Sequence, residues 1–318
     1  MKKHNQSAIT ILLLGGSRRV SLSELLIRAG EHLGYTVNIV AYELDTQVPV
    51  SIVGKVVQGL HWDDPNIMED LERVITDYEI NIILPLTDGA MEIAARCKKQ
   101  FKNVFIPISD FEIASSVFDK IDAAHAFRKA GIPIPRIYSV IDNEMPVIAK
   151  PRCGNRRGIQ IFNDVDDLMH LKNLENYLLQ EYIEHKRDFI VDCYVAQNGE
   201  ILVTAPREVL EMIGGYTTRT ITCRTPELID MSHRVLEHFK FRGPVTLQFI
   251  QDIDKNRFLL LEVNPRLGDG VICSIYAGAP IADYILLESL GAQTHPCNDW
   301  ADQVLMARYQ KESIFFNA

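Results

Sequence analysis

The period of the hydrophobic pattern changes a third of the way along this chain. Up to about residue 108, strand-like and helix-like runs take turns. "ITILLLGG" runs into a glycine turn, "VSLSELLIRAGEHLG" has helical spacing and a glycine stop, and "TVNIVAYE" is strand-like again. "DDPNIMEDLERVITDYEI" opens with an Asp cap and Pro65, then places Ile67, Leu71, Val74 and Tyr78 on one helical face; "NIILPL" and "VFIPIS" are strand-like around a helical "GAMEIAARCKKQF". Strands that alternate with helices need parallel pairing with helical crossovers. Beyond residues 109–114 the apolar runs come in pairs. "DFIVDCYVAQNGEILVTAPREV" reads as a hairpin turning at Asn198-Gly199, and "PVTLQFIQDIDKNRFLLLEVNPR" as a second, with a helix, "PELIDMSHRVLEHFKF", between them. The predicted fold is therefore a doubly wound α/β N-terminal domain followed by an α+β part built on antiparallel hairpins.

At 318 residues, the chain is long enough for two or three packed lobes. A net charge of −9 with no basic block argues against nucleic acid. No apolar run approaches bilayer length, and "AITILLLGG" reads as a buried strand and not as a signal peptide. The six cysteines stand singly, without CxxC pairs, which argues against a disulfide framework or a zinc site and for a cytoplasmic home; Cys153 reads as a bystander thiol.

The second hairpin carries the chemistry. Residues two apart on a strand share a face, so Glu262 and Asn264 project together, roughly 7 Å apart. Reflection about a turn centred near Lys255 puts Gln248 opposite Glu262, while Leu259, Leu261 and Val263 are expected on the other side, in a core. One carboxylate and two amide oxygens on one surface suit magnesium, which takes few protein ligands and completes its shell with water and phosphate. Arg266, just past Pro265, could hold a phosphoryl or carboxylate oxygen with its planar fork.

The run "LEVNPR", with a Gln fourteen residues before its Glu, resembles the metal-binding signature of the ATP-grasp superfamily. The order of the whole chain, from "LLLGGSRR" to "YAGAP", resembles its carbamoyl-phosphate-synthase-like branch in a single-unit form. That resemblance implies a pre-ATP-grasp domain over 1–110, a small lobe over 111–185 and a large lobe with a C-terminal tail over 186–318. It implies metal ligation by Gln248, Glu262 and Asn264, and catalytic roles for Arg266 and for Arg207 in "PREV". Lys120 in "VFDK" and Lys150 in "VIAKP" match the family's nucleotide-binding cations. Gly154 and Gly158 match its phosphate-covering loop, here "RCGNRRG", which is poorer in glycine and richer in arginine than many relatives. "QEYIEHKRD" supplies an adenine hinge at Glu181, Tyr182 and Ile183 and a ribose-binding acid at Asp188, where Glu is commoner.

The implied cofactors are ATP and one or two Mg²⁺ ions, with Mn²⁺ as a substitute. The implied activity is an ATP- and Mg-dependent ligase that activates a carboxylate as an acyl phosphate for attack by an amine or ammonia. The alternatives are a carbamoyl-phosphate-type enzyme acting on bicarbonate and a non-catalytic ATP-binding regulatory protein. Expected partners are small-molecule carboxylates and amines, with a homodimer compatible and no nucleic acid or membrane. "GGSRR" lacks the G-x-G-x-x-G fingerprint, which argues against nicotinamide binding. Arg18 reads as a helix cap or surface residue and Asp88 as a helix cap. Where relatives continue with Gly after "NPRLG", this chain has Asp269, which suggests an ammonium-bearing substrate at that position.

Overall fold

Four short strands, β1 (Ala8–Leu14), β2 (Thr36–Glu43), β3 (Lys55–Gln58) and β4 (Ile82–Pro85), pair in parallel in the order β3-β2-β1-β4. The computed structural model describes residues 8–139, 144–153 and 158–316. Side chains alternate along β1, so Ile9, Ile11 and Leu13 enter one core and Leu12 and Leu14 another. The first core receives Leu22, Leu26 and Ala29 of α1 (Val20–Leu33); the second receives Ile67, Leu71 and Val74 of α2 (Ile67–Asp77) and Ala90, Met91 and Ala94 of α3 (Asp88–Gln100). The predicted helical face of 67, 71 and 74 is thus the buried one, although the helix starts at Ile67, after Asp64 and Pro65. The strand expected in "VFIPIS" is reduced to one bridge, Ile82 with Phe105, because Pro107 has no N–H to continue the ladder. The short α4 (Phe111–Ser115) follows it and adds Ala114 to the second core.

A six-stranded antiparallel sheet makes up most of the rest, in the order β12-β11-β8-β9-β10-β13. Its members are β8 (Lys186–Val195), β9 (Ile201–Ile213), β10 (Tyr216–Thr222), β11 (Gly243–Asp252), β12 (Arg257–Asn264) and β13 (Leu305–Ala307). Both predicted hairpins form. Two strands of this sheet lie outside the sequence expectation. One is β10, which returns from β9 through Gly214 and Gly215, both at positive φ where glycine carries no steric penalty. The other is the three-residue β13, too short to show a period.

One face of this sheet is closed by α5 (Lys120–Lys129) and α7 (Pro226–Phe239), which share a core with Val191, Leu247, Phe249 and Leu260. The other face is covered at one end only, by α8 (Val271–Tyr276) and α9 (Ile281–Ser289). Their Val271, Ile281 and Ile285 join the core that also holds Ile11 and Leu13. The N-terminal domain is therefore docked on the large lobe through continuous apolar packing. A small three-stranded sheet, β6-β5-β7, is tied to the start of β12 by Glu181 and Arg257: β5 (Val147–Pro151), β6 (Gln160–Phe162) and β7 (Tyr177–Glu181). Its own core takes Leu168 of the short α6 (Val165–Met169). Among the described residues no helix is long and apolar enough to cross a membrane.

Candidate active site

The register on the open face of the large sheet aligns the oxygen donors. Gln248 pairs with Glu262, and Thr246 with Asn264. Reflection about Lys255 gives the right pair through two compensating half-steps. The hairpin pairs Asp252 with Arg257, so its centre lies half a residue before Lys255, and a bulge at Leu261 adds one residue to β12. The same bulge overturns the expected orientation of the leucines. Val263 enters the α7 core as expected, but Leu259 and Leu261 pack with Ile183 and Ile250 in a separate apolar cluster. Ile250 in turn pairs with Asp188 of β8, so that cluster lies on the Gln248 side of the sheet.

The Lys120 Nζ lies 3.6 Å from Glu262 Oε1, bringing the first residue of α5 against the donor face. Among the described residues the side-chain amides of Gln248 and Asn264 have no hydrogen-bond partner, and no group of three His, Cys, Asp or Glu could hold a metal. Hard oxygens that include a single carboxylate fit magnesium arriving with the phosphates of a nucleotide, and do not fit a fully protein-bound ion. Lys150 on β5 donates to Gln180 Oε1 at 2.8 Å, and Gln180 Nε2 donates to the Pro135 carbonyl, which fixes the amide and steers the ammonium.

The hinge turns out to be a clamp as well. Glu181 N–H donates to the Arg136 carbonyl and Tyr182 N–H to the Pro146 carbonyl; among the described residues Ile183 N–H meets no acceptor. The Glu181 carboxylate accepts Arg136 N–H at 3.0 Å and both oxygens accept Arg257 at 2.9 Å, with Lys255 Nζ at 3.3 Å. Burial alone would push this carboxyl up, but the Arg136 N–H and the Arg257 guanidinium outweigh it and leave the pKa lowered. Arg257 also binds Asp252, so the small lobe is pinned to the start of β12 by a residue that spacing did not single out. Asp188 is ion-paired with Lys186 at 2.8 Å.

Of the covering loop, Gly154 lies outside the described residues. Gly158 follows at φ +88°. The loop begins at Arg152, which is ion-paired with Asp119 and Asp122 and whose carbonyl accepts Lys120 N–H.

At the far end of the face, the N-terminal domain enters. Arg266 Nε donates to Asp88 Oδ1 at 2.7 Å, so Asp88, the first residue of α3, reaches across the domain junction. Asp269 is held by Arg19 at 3.0 Å and by Arg308 at 2.8 Å. Its carboxylate is thus occupied by two guanidiniums, which is the wrong arrangement for receiving a substrate ammonium. Neither Arg19 nor Arg308 was singled out from sequence; both are lone arginines whose partner is remote in the chain. Arg18 is exposed.

Arg207 stands on the same sheet face as Gln248, in register with it through Ile190, and its guanidinium is already engaged. Its side chain is 1% exposed and ion-paired at 2.8 Å with the equally buried Asp192, which also accepts Ser274 Oγ at 2.7 Å. A Cβ on Gly270 would lie 2.5 Å from the Arg207 guanidinium, so the glycine after Asp269 is required by this close approach.

Glu43, at the end of β2, is a further residue the sequence did not mark. Burial pushes its carboxyl up to about 7, against the pull of N–H groups from Gly16 and Ser17; no ionisable neighbour contributes. The sign follows from linkage. A carboxyl raised in the folded state is penalised once it ionises, so stability falls as pH rises from the ordinary value of 4.5 to about 7 and is level above that. Glu43→Gln removes this penalty. The expected outcome is a melting-temperature difference, variant minus wild type, near zero at pH 4.5 and positive at pH 8, read by thermal unfolding at both.

Residues 173–312 match a family model described as "ATP-grasp in the biosynthetic pathway with Ter operon". Among solved structures the fold is similar to the biotin carboxylase domain dimer of Hydrogenobacter thermophilus 2-oxoglutarate carboxylase in complex with MgADP, ADP and bicarbonate. That match has TM-score 0.73 and 16% identity, and covers 93% of this chain and 73% of that one. It is also similar to Staphylococcus aureus N5-carboxyaminoimidazole synthetase complexed with ADP, with TM-score 0.71 and 19% identity over 92% of this chain and 79% of that one. Rhizobium etli pyruvate carboxylase matches with TM-score 0.72 and 16% identity over 94% of this chain, which spans 30% of that protein's length.

Proposed function

We propose that this chain is an ATP-grasp protein, as the family model over 173–312 and the similar folds support, and that it is an ATP- and magnesium-dependent ligase that activates a carboxylate as an acyl phosphate for attack by an amine or ammonia. The carrying observation is the shared face of Gln248, Glu262 and Asn264, met by Lys120 at 3.6 Å from Glu262 and continued by the apolar cluster of Ile183, Ile250 and Leu259. In this reading 1–110 form the pre-ATP-grasp domain, 111–185 the small lobe and 186–318 the large lobe.

The apolar cluster takes the adenine face, with the Ile183 N–H left to meet the base edge and Asp188 beside it for the ribose. Lys120 and Lys150 take phosphate oxygens. Gln248, Glu262 and Asn264 would hold the magnesium, which would supply charge neutralisation to the phosphates when bound. Arg266, oriented by Asp88, holds the oxygens of the acceptor. Phosphoryl transfer is mainly positioning and electrostatic stabilisation, which is what a fixed sheet face with converging cations supplies. The covering loop expected to exclude water from a hydrolysable mixed anhydride, 151–158, lies in part outside the described residues.

A second reading, with bicarbonate as the acceptor, draws support from the carboxylases among the similar structures, one of them holding bicarbonate. ADP release by purified protein, with and without Mg²⁺, across pools of amino acids, hydroxy acids and bicarbonate tests both. Mg-dependent release with an organic acid pool is the expected result. Release with bicarbonate alone selects the second reading, and nucleotide binding without release in any pool selects a regulatory protein.

A further inference from the structure

We propose that Arg19 and Arg308 bind a second anionic group of the acceptor, so that the acid held at Arg266 is a dianion whose other charge is a carboxylate or a phosphate. The inference rests on the ligase reading and names its substrate class.

Three guanidiniums share two carboxylates among the described residues: Arg266 pairs with Asp88, and Arg19 and Arg308 with Asp269. One positive charge is left over. The match to Asp269 is also loose. Its Oδ1 accepts Arg19 Nη1 at 3.0 Å, but its Oδ2, though 2.8 Å from Arg308 Nη2, is buried without a hydrogen bond, while that nitrogen donates to the Asp269 carbonyl at 2.6 Å. Burial lowers the Arg19 pKa, and Arg266 and Arg308 lower it further against the pull of Asp269, so both neighbours lie within its field. Like charges gathered in a partly desolvated place cost free energy that an arriving anion offsets.

The donors for that anion are in place. A guanidinium carries five N–H groups. Among the described residues the Arg266 side chain donates from Nε alone, Arg19 from Nη1 alone and Arg308 from Nη2 alone. The side chains are 12% (Arg19), 19% (Arg266) and 32% (Arg308) exposed, and no nitrogen of Arg19 or Arg266 is among the sealed, unpaired polar atoms. Their idle N–H groups therefore remain within reach of a ligand. The group sits just past the end of the oxygen-donor face. Thr246, the strand partner of Asn264, donates from Oγ1 to the Arg266 carbonyl at 3.1 Å and accepts Gly268 N–H at 2.9 Å, and Arg19 Nη1 donates to the Gly268 carbonyl at 3.2 Å. Arg308 follows β13, where its backbone N–H donates to the Thr218 carbonyl, so pairing at the sheet edge fixes its place. One carboxylate is matched by one planar fork. Arg266 suffices for the carboxylate that is phosphorylated, which leaves Arg19 and Arg308 for a second anion on the same molecule.

The test is calorimetric binding in the presence of MgADP, which requires no turnover. The probes are short dicarboxylic acids with their monoamides, and phosphorylated hydroxy acids with their unphosphorylated parents. At least one dianion is expected to bind wild type about tenfold or more tightly than its singly charged counterpart, the scale of one hydrogen bond between charged groups. The series that carries this preference identifies the second group as carboxylate or phosphate. Arg19→Gln and Arg308→Gln are each expected to weaken the dianion about tenfold and the singly charged acid less than about twofold, with Arg308→Lys in between. A merely structural brace on the Asp269 turn would weaken both ligands alike. The ¹⁵N signal of Arg308 Nε in wild type, which needs no variant, should move with the dianion and stay still with its singly charged counterpart. No preference for any dianion, a preference that survives both Gln variants, equal losses for both ligands, or an unmoved Arg308 signal overturns the proposal. Selective dianion binding without ADP release when MgATP and ammonia are supplied leaves the anion site standing and overturns the ligase reading; ADP release with singly charged acids alone does the reverse.

Discussion

Glu262→Gln is expected to lower Mg-dependent ADP release by at least about 100-fold, the scale seen when one electrostatic stabiliser is removed from an active site, with thermal unfolding little changed. Glu262 is the only carboxylate among the three aligned donors, so the amide keeps the shape of the site and removes its formal charge. The side chain is about a third exposed and its described ion pair, to Lys120, is long at 3.6 Å, which leaves the fold little to lose. The check is a magnesium titration of ADP release for both proteins. A parallel loss at all magnesium concentrations would place the effect on positioning; equal rates at limiting magnesium would remove Glu262 from the metal site.

Asp192→Ala should destabilise the fold far more than Glu262→Gln, by about 3–5 kcal/mol, because it strands a buried guanidinium without its counter-charge. Arg207 and Asp192 are both 1% exposed, and Arg207 is hemmed in by Gly270 and Thr220, so the guanidinium cannot swing to water without moving α8. Urea unfolding reads the loss directly. Replacing both members, as in Asp192→Leu with Arg207→Met, should restore a large part of it, since paired removal leaves no orphan charge. A loss below about 1 kcal/mol for Asp192→Ala would mean that Arg207 finds another anion or solvent, and would return it to the open cleft as a candidate for touching substrate.

The donor face was legible because β-pairing is arithmetic. A hairpin turn and a period of two place Gln248, Glu262 and Asn264 together before any coordinate is known. The limits of that arithmetic appear at Leu261, where one bulged residue sends Leu259 and Leu261 to the Gln248 side of the sheet. Nothing in a run of leucines announces a bulge, since either face of the strand offers them an apolar environment. The clamp of Glu181 with Arg257, and the cage of Arg19 and Arg308 around Asp269, were invisible for another reason. They join positions 76, 250 and 39 residues apart, and a lone arginine carries no periodic signal.

What the amino-acid order determined is whatever local physics repeats: the α/β alternation of the first third, the two hairpins, and the oxygen donors on one strand face. Each follows from a short-range period or turn that neighbouring residues enforce on one another. Only the tertiary structure decided the charge pairings. It buried Arg207 on Asp192, bridged the domains with Asp88 and Arg266, filled Asp269 with two guanidiniums, and left Glu43 with an oxygen unpaired. Such choices depend on which remote side chains share a desolvated space, and the cost of desolvation is set by the packed whole, not by any stretch of sequence.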